Sequence, residues 1–420
     1  MGTVSEELSR GVLPAADLRQ RLGVSPATLM RAIREAGADV IPIGRGRATR
    51  YGLRQVWPSM NASRFPFFRV SETGTARLEG DLFTLAARQT VWMPGGAVSD
   101  GLPIELADAR PSGFLGRHFA ATHADLRLPA RLMDWSDHHI LLAMSRRGED
   151  LPGSLLIGDE AFARWQALDI PATTRDTYPD LARATIAGHP PGSSAGGERP
   201  KFGAFVDGHH VLVKFAARGG AGDVVARRWC DLLVLEALAL NVIAAHGVPA
   251  AETSVIDTDS HCFLESRRFD RTGLRGRIAV SSLAAVHDDP ADSWARAAVR
   301  LREAGIVSRD DARRLRWLDA FGMLIANTDR HPYNVVFFAD KPTLRIAPAF
   351  DQTSSLYSPT DDGQVPPRVF TPPHATGDTL EVWDEARTAG REFWQKAADD
   401  ARVSDDVRRA AAANATALGQ

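Results

Sequence analysis

Lysine is nearly missing from this chain of 420 residues. Four of its 50 basic residues, Lys201, Lys214, Lys341 and Lys396, are lysine, which leaves 46 arginines. A sequence that chooses arginine so consistently marks each lysine as a position where a compact point charge is wanted. Cysteine is scarcer still. Cys230 and Cys262 alone exclude a disulfide framework and a cysteine metal knuckle. No apolar run approaches the roughly 20 residues needed to cross a bilayer, so no membrane partner is expected. The opening "MGTVSEELSRG" lacks the charged-then-apolar layout of a secretory signal, and a cytoplasmic location is the expectation. A charge excess is also missing: the formal net charge of −2 excludes a polyanion binder of the whole-surface kind.

The length is too great for one compact core, and two to four domains are expected. The sequence divides most naturally into residues 1–60, 61–185, 186–266 and 267–420. In the first segment, "AADLRQRLGVSPATLMRAIREA" at 15–36 reads as two short helices around a tight turn. Gly23 supplies the turn, Ser25 the N-cap, and Pro26 occupies the first helical position, where a missing N–H costs nothing. Leu18 and Leu22, then Leu29, Ile33 and Ala36, form the apolar stripes. The segment resembles a helix-turn-helix, and "VIPIGRGRATRYGL" at 40–53 resembles a two-stranded wing without an acidic residue. Thr28, Arg31 and Arg34 on the second helix, with Arg45, Arg47 and Arg50 on the wing, are the candidate DNA contacts. A helical hairpin used for packing alone is the competing reading.

Residues 60–180 mix short strand-like and helical segments without evident chemistry. Beyond them, "GHPPGSSAGGERP" at 188–200 is a Gly/Pro/Ser-rich loop. "HHVLVKFAA" at 209–217 alternates as a strand, and an amphipathic helix is expected over 227–246, ended by Gly247. The pattern after residue 290 is mostly helical.

Phosphoryl transfer from ATP needs a flexible loop over the phosphates, a cation for them, a base that orients the acceptor hydroxyl, and hard oxygen ligands for Mg²⁺. The chain presents these in order. Gly196 and Gly197 lie in the loop, Lys214 on the strand, Glu236 on the following helix, then "NTDRHPYN" at 327–334 and "IAPAFDQTSS" with Asp351. Asp329 and Asn334 are five positions apart, the separation of base and metal-binding Asn in the kinase catalytic loop. Asp329 is therefore the candidate base, Asn334 and Asp351 the candidate Mg²⁺ ligands, and Lys214 the ATP cation with Glu236 as its ion-pair partner. His331 follows the Asp instead of preceding it and is read as a loop brace. The bland alternative is an Asx-rich turn between two core elements.

These motifs, with "RPSGFLGR", "SSAGGERPKF", "LVKF", "RRFDR" and "APAFDQTSS", are together similar to the HipA-like serine/threonine kinase toxins. The fused N-terminal helix-turn-helix resembles their YjjJ (HipH) branch. The resemblance implies an α+β, two-lobed protein-kinase-like fold of the HipA type behind a winged helix-turn-helix domain. It implies an ATP- and Mg²⁺-dependent kinase that phosphorylates a host protein to arrest growth; relatives act on aminoacyl-tRNA synthetases. It also implies inhibitory autophosphorylation of the Gly/Ser loop, at Ser194 or its neighbour Ser193, and a helix-turn-helix antitoxin as partner. Arg199 stands where the family usually has Gln, and Arg267 where relatives can carry Glu. Phe269 is the candidate adenine contact. Two other classes remain open: a DNA-binding regulator with a degenerate, nucleotide-sensing kinase body, and a metal-dependent nuclease.

Overall fold

Helix α1 (Ala15–Leu22) stops at Gly23, whose φ of 65° lies in the left-handed region open to glycine. Ser25 caps α2 (Pro26–Ala36), its hydroxyl accepting the Thr28 N–H at 3.2 Å. Strands β1 (Val40–Ile43) and β2 (Arg50–Leu53) pair antiparallel, and the two residues Leu13–Pro14 add to the other edge of β2. Leu18, Leu22, Leu29 and Ile33 bury together with Val4, Leu8 and Tyr51. This computed structural model describes residues 2–187, 199–220 and 222–419.

The chain forms two compact units. The first comprises Met1–Val70, Thr75–Pro111 and His123–Asp169, so it holds the N-terminal helices and the segment after them. Its main sheet contains β3 (Arg64–Val70), β4 (Ala76–Thr84), β5 (Gln89–Met93), β6 (Ala97–Asp100) and β7 (Leu155–Ile157). Their order is β6-β5-β4-β3-β7, antiparallel throughout. Phe65, Phe67 and Leu82 on one sheet face pack with Ile140, Leu141 and Met144 of helix α3 (Asp137–Arg147). Gly80 permits the close approach of β4 and β5, since a Cβ there would lie 1.9 Å from the Met93 carbonyl oxygen.

The second unit comprises Ser71–Gly74, Ser112–Thr122 and Ile170–Gln420. Its sheet contains β8 (Lys201–Val206), β9 (His209–Ala217), β10 (Thr253–Asp257) and β11 (His261–Arg267) in the antiparallel order β10-β11-β9-β8. Asp207 and Gly208 join β8 to β9, both with positive φ, as a two-residue hairpin turn demands. Helix α4 (Val224–Ala245) begins where the Asp223 carboxylate accepts the Ala226 N–H and packs on this sheet. Its fully buried Leu232, Leu235, Leu240 and Ile243 each contribute about 1.5–3 kcal/mol. That gain offsets the cost of two buried acids, Asp231 and Glu236, on the same helix.

Among the other helices of this unit, α5 (Trp294–Glu303), α6 (Arg309–Leu324), α7 (Trp383–Asp399) and α8 (Asp405–Gly419) pack around Trp294, Phe321, Phe393 and Trp394. A small sheet of β12 (Val280–Ser282), β13 (Val336–Phe338) and β14 (Arg345–Ile346) lies in the same unit. Residues 327–334 lead into β13 and residues 347–355 leave β14. Because β13 and β14 are antiparallel partners, the two polar stretches emerge at the same end of the hairpin.

Candidate active site

Lys214 projects from β9 between buried Val213 and Phe215, in register with Leu264 on one side and Lys201 on the other. Its Nζ donates to both oxygens of Glu236, at 2.7 and 2.9 Å, and to Asp351 Oδ1 at 2.5 Å. One ammonium thus meets two carboxylates from distant parts of the chain. Burial disfavours the Lys214 charge, but Asp351 and Glu236 outweigh it and leave its pKa above the ordinary lysine value. Burial is also the main reason that Glu236 sits above the usual carboxylate range, with Asp351 adding and Lys214 opposing. Burial pushes Asp351 upward too, yet Lys214, Lys201 and the imidazole of His331 overcome it and hold this group well below the usual range. Asp351 is therefore the firmly ionised member of the cluster, and its side chain keeps 33 % exposure. Its φ of 56° places a non-glycine residue in the left-handed region, a cost that functional loops carry when their surroundings fix it.

The stretch 327–334 is tied to the Asp351 loop by side chains that local sequence patterns do not reveal. Asn327, fully buried, accepts the Asp329 N–H at 2.9 Å and the Ser355 hydroxyl at 3.3 Å through Oδ1. Its amide donates to Gln352 Oε1 at 3.5 Å, and Ser355 Oγ accepts the Thr328 N–H at 2.7 Å. Asn334 donates Nδ2 to the Asp329 carbonyl at 2.9 Å, which leaves its amide oxygen as the end able to hold a cation. The Asp329 carboxylate, 68 % exposed, is open to a partner from solvent. His331 Nε2 stands 4.0 Å from it, too far for a hydrogen bond. The brace at this residue is its carbonyl, which accepts from Trp294 Nε1 at 3.2 Å and from the Asn334 N–H at 3.0 Å.

A second support comes from α6. Arg330 lays its side chain across Gly322, donates Nε to the buried Asp319 at 3.1 Å, and bonds the Asn327 carbonyl. Asp319 also accepts the Ala295 N–H at 3.1 Å, so it joins α5, α6 and the 327–334 loop. Sequence reasoning missed Asn327, Gln352, Ser355 and Asp319. The only local signal was the density of Asx and Ser residues around the two loops.

Phe269 packs against Phe338 and against Phe350, the neighbour of Asp351, with ring centroids 6.1 and 5.7 Å apart. Arg199 lies over the Trp229 ring at 3.9 Å and donates Nη1 to the Trp229 carbonyl at 2.9 Å. Arg267 pairs with Glu252 at 3.0 Å. Ser193, Ser194, Gly196 and Gly197 lie outside the described residues. In the N-terminal segment Thr28, Arg31, Arg34, Arg45 and Arg47 are exposed. Arg50 is half-buried and donates Nη2 to the Gly96 carbonyl at 2.9 Å, which places it in the packing of the first unit.

Comparison with known proteins fits this geometry. Residues 61–166 match the family of the YjjJ-like toxin middle domain, and residues 193–418 match the HipA-like C-terminal domain. Toxin YjjJ of Escherichia coli (strain K12) is 34% identical over 430 residues, covering 98% of this chain and 96% of the relative. The chain belongs to the HipA-like toxins, in their YjjJ branch. A HipA toxin from Shewanella oneidensis MR-1, solved with HipB and its operator DNA, shares the fold at a TM-score of 0.54 and 13% identity. That likeness covers 84% of this chain and 95% of the HipA chain. This YjjJ-type chain thus has the HipA-type, kinase-like α+β fold. No helix of the described residues is long and apolar enough to cross a membrane.

Proposed function

We propose that this protein is a cytoplasmic, ATP- and Mg²⁺-dependent serine/threonine protein kinase, a toxin that phosphorylates a host protein to arrest growth. The observation that carries this reading is the convergence of Lys214 on Glu236 and Asp351, beside a loop that offers Asp329 and Asn334. Glu236 holds the Lys214 ammonium in place, and the ammonium is a point charge suited to phosphate oxygens. Asp329 receives the hydrogen bond of the acceptor hydroxyl, orients it, and takes its proton as the bond to the γ-phosphorus forms and the bond from that phosphorus to the departing ADP breaks.

The residues also suit magnesium. Asp351 is ionised and partly open, and Asn334 offers an amide oxygen. One carboxylate and one amide oxygen, with phosphates and water completing the shell, match the way Mg²⁺ is held in kinases. When bound, the ion would neutralise charge on the phosphates. Asp351 is already bonded to Lys214, so one pair of groups serves both the ion and the nucleotide.

Autophosphorylation at Ser194 or Ser193 would add nearly two negative charges, which repel nucleotide phosphates, and inhibit the enzyme. An aminoacyl-tRNA synthetase is the candidate host target. The exposed arginines at 31, 34, 45 and 47 support DNA binding by the N-terminal segment, and a helix-turn-helix antitoxin is the expected protein partner.

Incubation with γ-labelled ATP, beside an Asp329→Asn control, tests the reading. Transfer of label to protein in the wild type alone supports the kinase. Nucleotide binding without transfer would favour a sensor body on a DNA-binding regulator, and plasmid nicking without ATP a nuclease.

A further inference from the structure

The first unit contains an open cavity of about 400 Å³, far from small for a biological ligand, with Gln55, Pro58 and Arg88 at its exposed rim. Trp57 forms its apolar wall, pinned because Nε1 donates to the Leu85 carbonyl at 3.1 Å. Gln55 is held through its backbone, its N–H donating to the Thr84 carbonyl at 3.0 Å and its carbonyl accepting from Thr84 Oγ1 at 2.6 Å. The Arg88 edge is a tight turn between β4 and β5 in which Ala87 and Arg88 both adopt positive φ, 55° and 58°. Two consecutive non-glycine residues in that region carry strain, and the Leu85–Gln89 and Gly101–Arg88 backbone bonds hold them there.

The charges in this cavity are unmatched. Among the described residues, neither the guanidinium of Arg88, an exposed residue at the rim, nor the carboxylate of half-buried Asp137 takes part in a hydrogen bond or ion pair, and they do not pair with each other. Asp137 is half-buried and lies against Gly101, where a Cβ would collide with it. His138, also half-buried, contacts Ser136 Oγ through Nδ1 at 2.7 Å, which fixes the ring. Burial, with Arg88 adding, lowers the His138 pKa, so this wall is neutral near pH 7.

Two charges of opposite sign that pair with no other group of the protein, lining one cavity with an aromatic ring, select their ligand. A phosphate would meet the Asp137 carboxylate, a simple cation would meet Arg88, and an uncharged ligand would leave both groups unmatched. We propose that this cavity binds a free α-amino acid, with its carboxylate on Arg88, its ammonium on Asp137 and its side chain against Trp57. The site lies wholly within the first unit and is independent of the kinase reading.

Isothermal titration of the full-length protein with each proteinogenic L-amino acid tests this. At least one with a large side chain should bind saturably. Its N-acetyl derivative and its amide, titrated into the same wild-type protein, should bind about tenfold or more weakly. Arg88→Met and Asp137→Asn should each weaken binding about tenfold or more, with far-UV circular dichroism unchanged. The capped ligands keep the test decisive if a variant fails to fold. The proposal is overturned if no amino acid binds up to about 10 mM, or if the capped forms bind equally well. Binding that survives either folded variant, or that inorganic phosphate displaces, would overturn it as well.

Discussion

Removing charges from the Lys214–Glu236–Asp351 cluster in two different ways separates its role in stability from its role in chemistry. Glu236→Ala leaves a buried ammonium with Asp351 alone. At the 2.7 Å separation of Lys214 Nζ from Glu236 Oε1, the gross attraction is about 6 kcal/mol at an effective dielectric constant of about 20. Desolvation of both groups cancels much of that, so the expected loss of stability is about 3–5 kcal/mol, the cost of orphaning a buried charge. The double variant Lys214→Met with Glu236→Leu removes the two most buried charges, fills the space with apolar atoms and leaves Asp351, 33 % exposed, to solvent. It should be within about 1 kcal/mol of the wild type or more stable. In urea, followed by far-UV circular dichroism, Glu236→Ala should lower the midpoint of the second unit by about 2 M, and the double variant should restore it. Neither protein should transfer phosphate. The reasoning is refuted if the double variant is as unstable as Glu236→Ala, or if it keeps label transfer from ATP. In the first case the cluster would be a stability device, and in the second it would be irrelevant to catalysis.

Asp319→Ala should leave Arg330 without its buried partner, destabilise the second unit by about 3–5 kcal/mol in urea, and lower kcat more than it raises the KM for ATP. Gly80→Ala should destabilise the first unit by more than about 3 kcal/mol, because its Cβ meets the Met93 carbonyl oxygen, a backbone atom that cannot swing aside; thermal melts report it. The pH dependence follows from the sign of each shift. Asp351 is depressed when folded, so its contribution is full above the ordinary value of 3.8 and is lost as pH falls below it. Lys214 is raised, so its contribution is full below 10.5 and is lost as pH rises through its folded value. The stability gap between wild type and Lys214→Met, measured by urea titration, should therefore shrink at both extremes.

Much of the framework was legible because local chemistry decides it. Gly23, Ser25 and Pro26 name a turn, a cap and a first turn on their own, and the structure uses each in that way. The strand over 209–217 and the helix ending near Gly247 followed from apolar period, with the helix starting at Val224 instead of 227 because Asp223 supplies the cap. Lys214 stood out through arginine bias, and the spacing of Asp329 and Asn334 through a known loop geometry. The five-stranded sheet of the first unit was not legible. Its strands carry charges such as Arg69, Glu79 and Asp81 on the outer face, and a bulge at Phe67/Phe68 breaks their alternation. The bonds from Asn327 to Gln352 and Ser355, and from Arg330 to Asp319, join residues 11 to 28 positions apart. No local pattern encodes such pairings. Arg50 looked like its wing neighbours, and only tertiary packing turned it toward Gly96.

The central claim is that Lys214, Asp329, Asn334 and Asp351 form one nucleotide site with divided labour. Equilibrium binding of ATP in the presence and absence of Mg²⁺ to the wild type, Lys214→Met, Asp351→Asn and Asp329→Asn tests it most directly, with single-turnover transfer measured on the same samples. Lys214→Met should lose binding under both conditions, Asp351→Asn should lose the gain that Mg²⁺ provides, and Asp329→Asn should bind normally while transferring about 10²–10⁴-fold more slowly. If Asp351→Asn kept the full Mg²⁺-dependent gain, or if Asp329→Asn transferred phosphate at the wild-type rate, the four residues would not constitute that site.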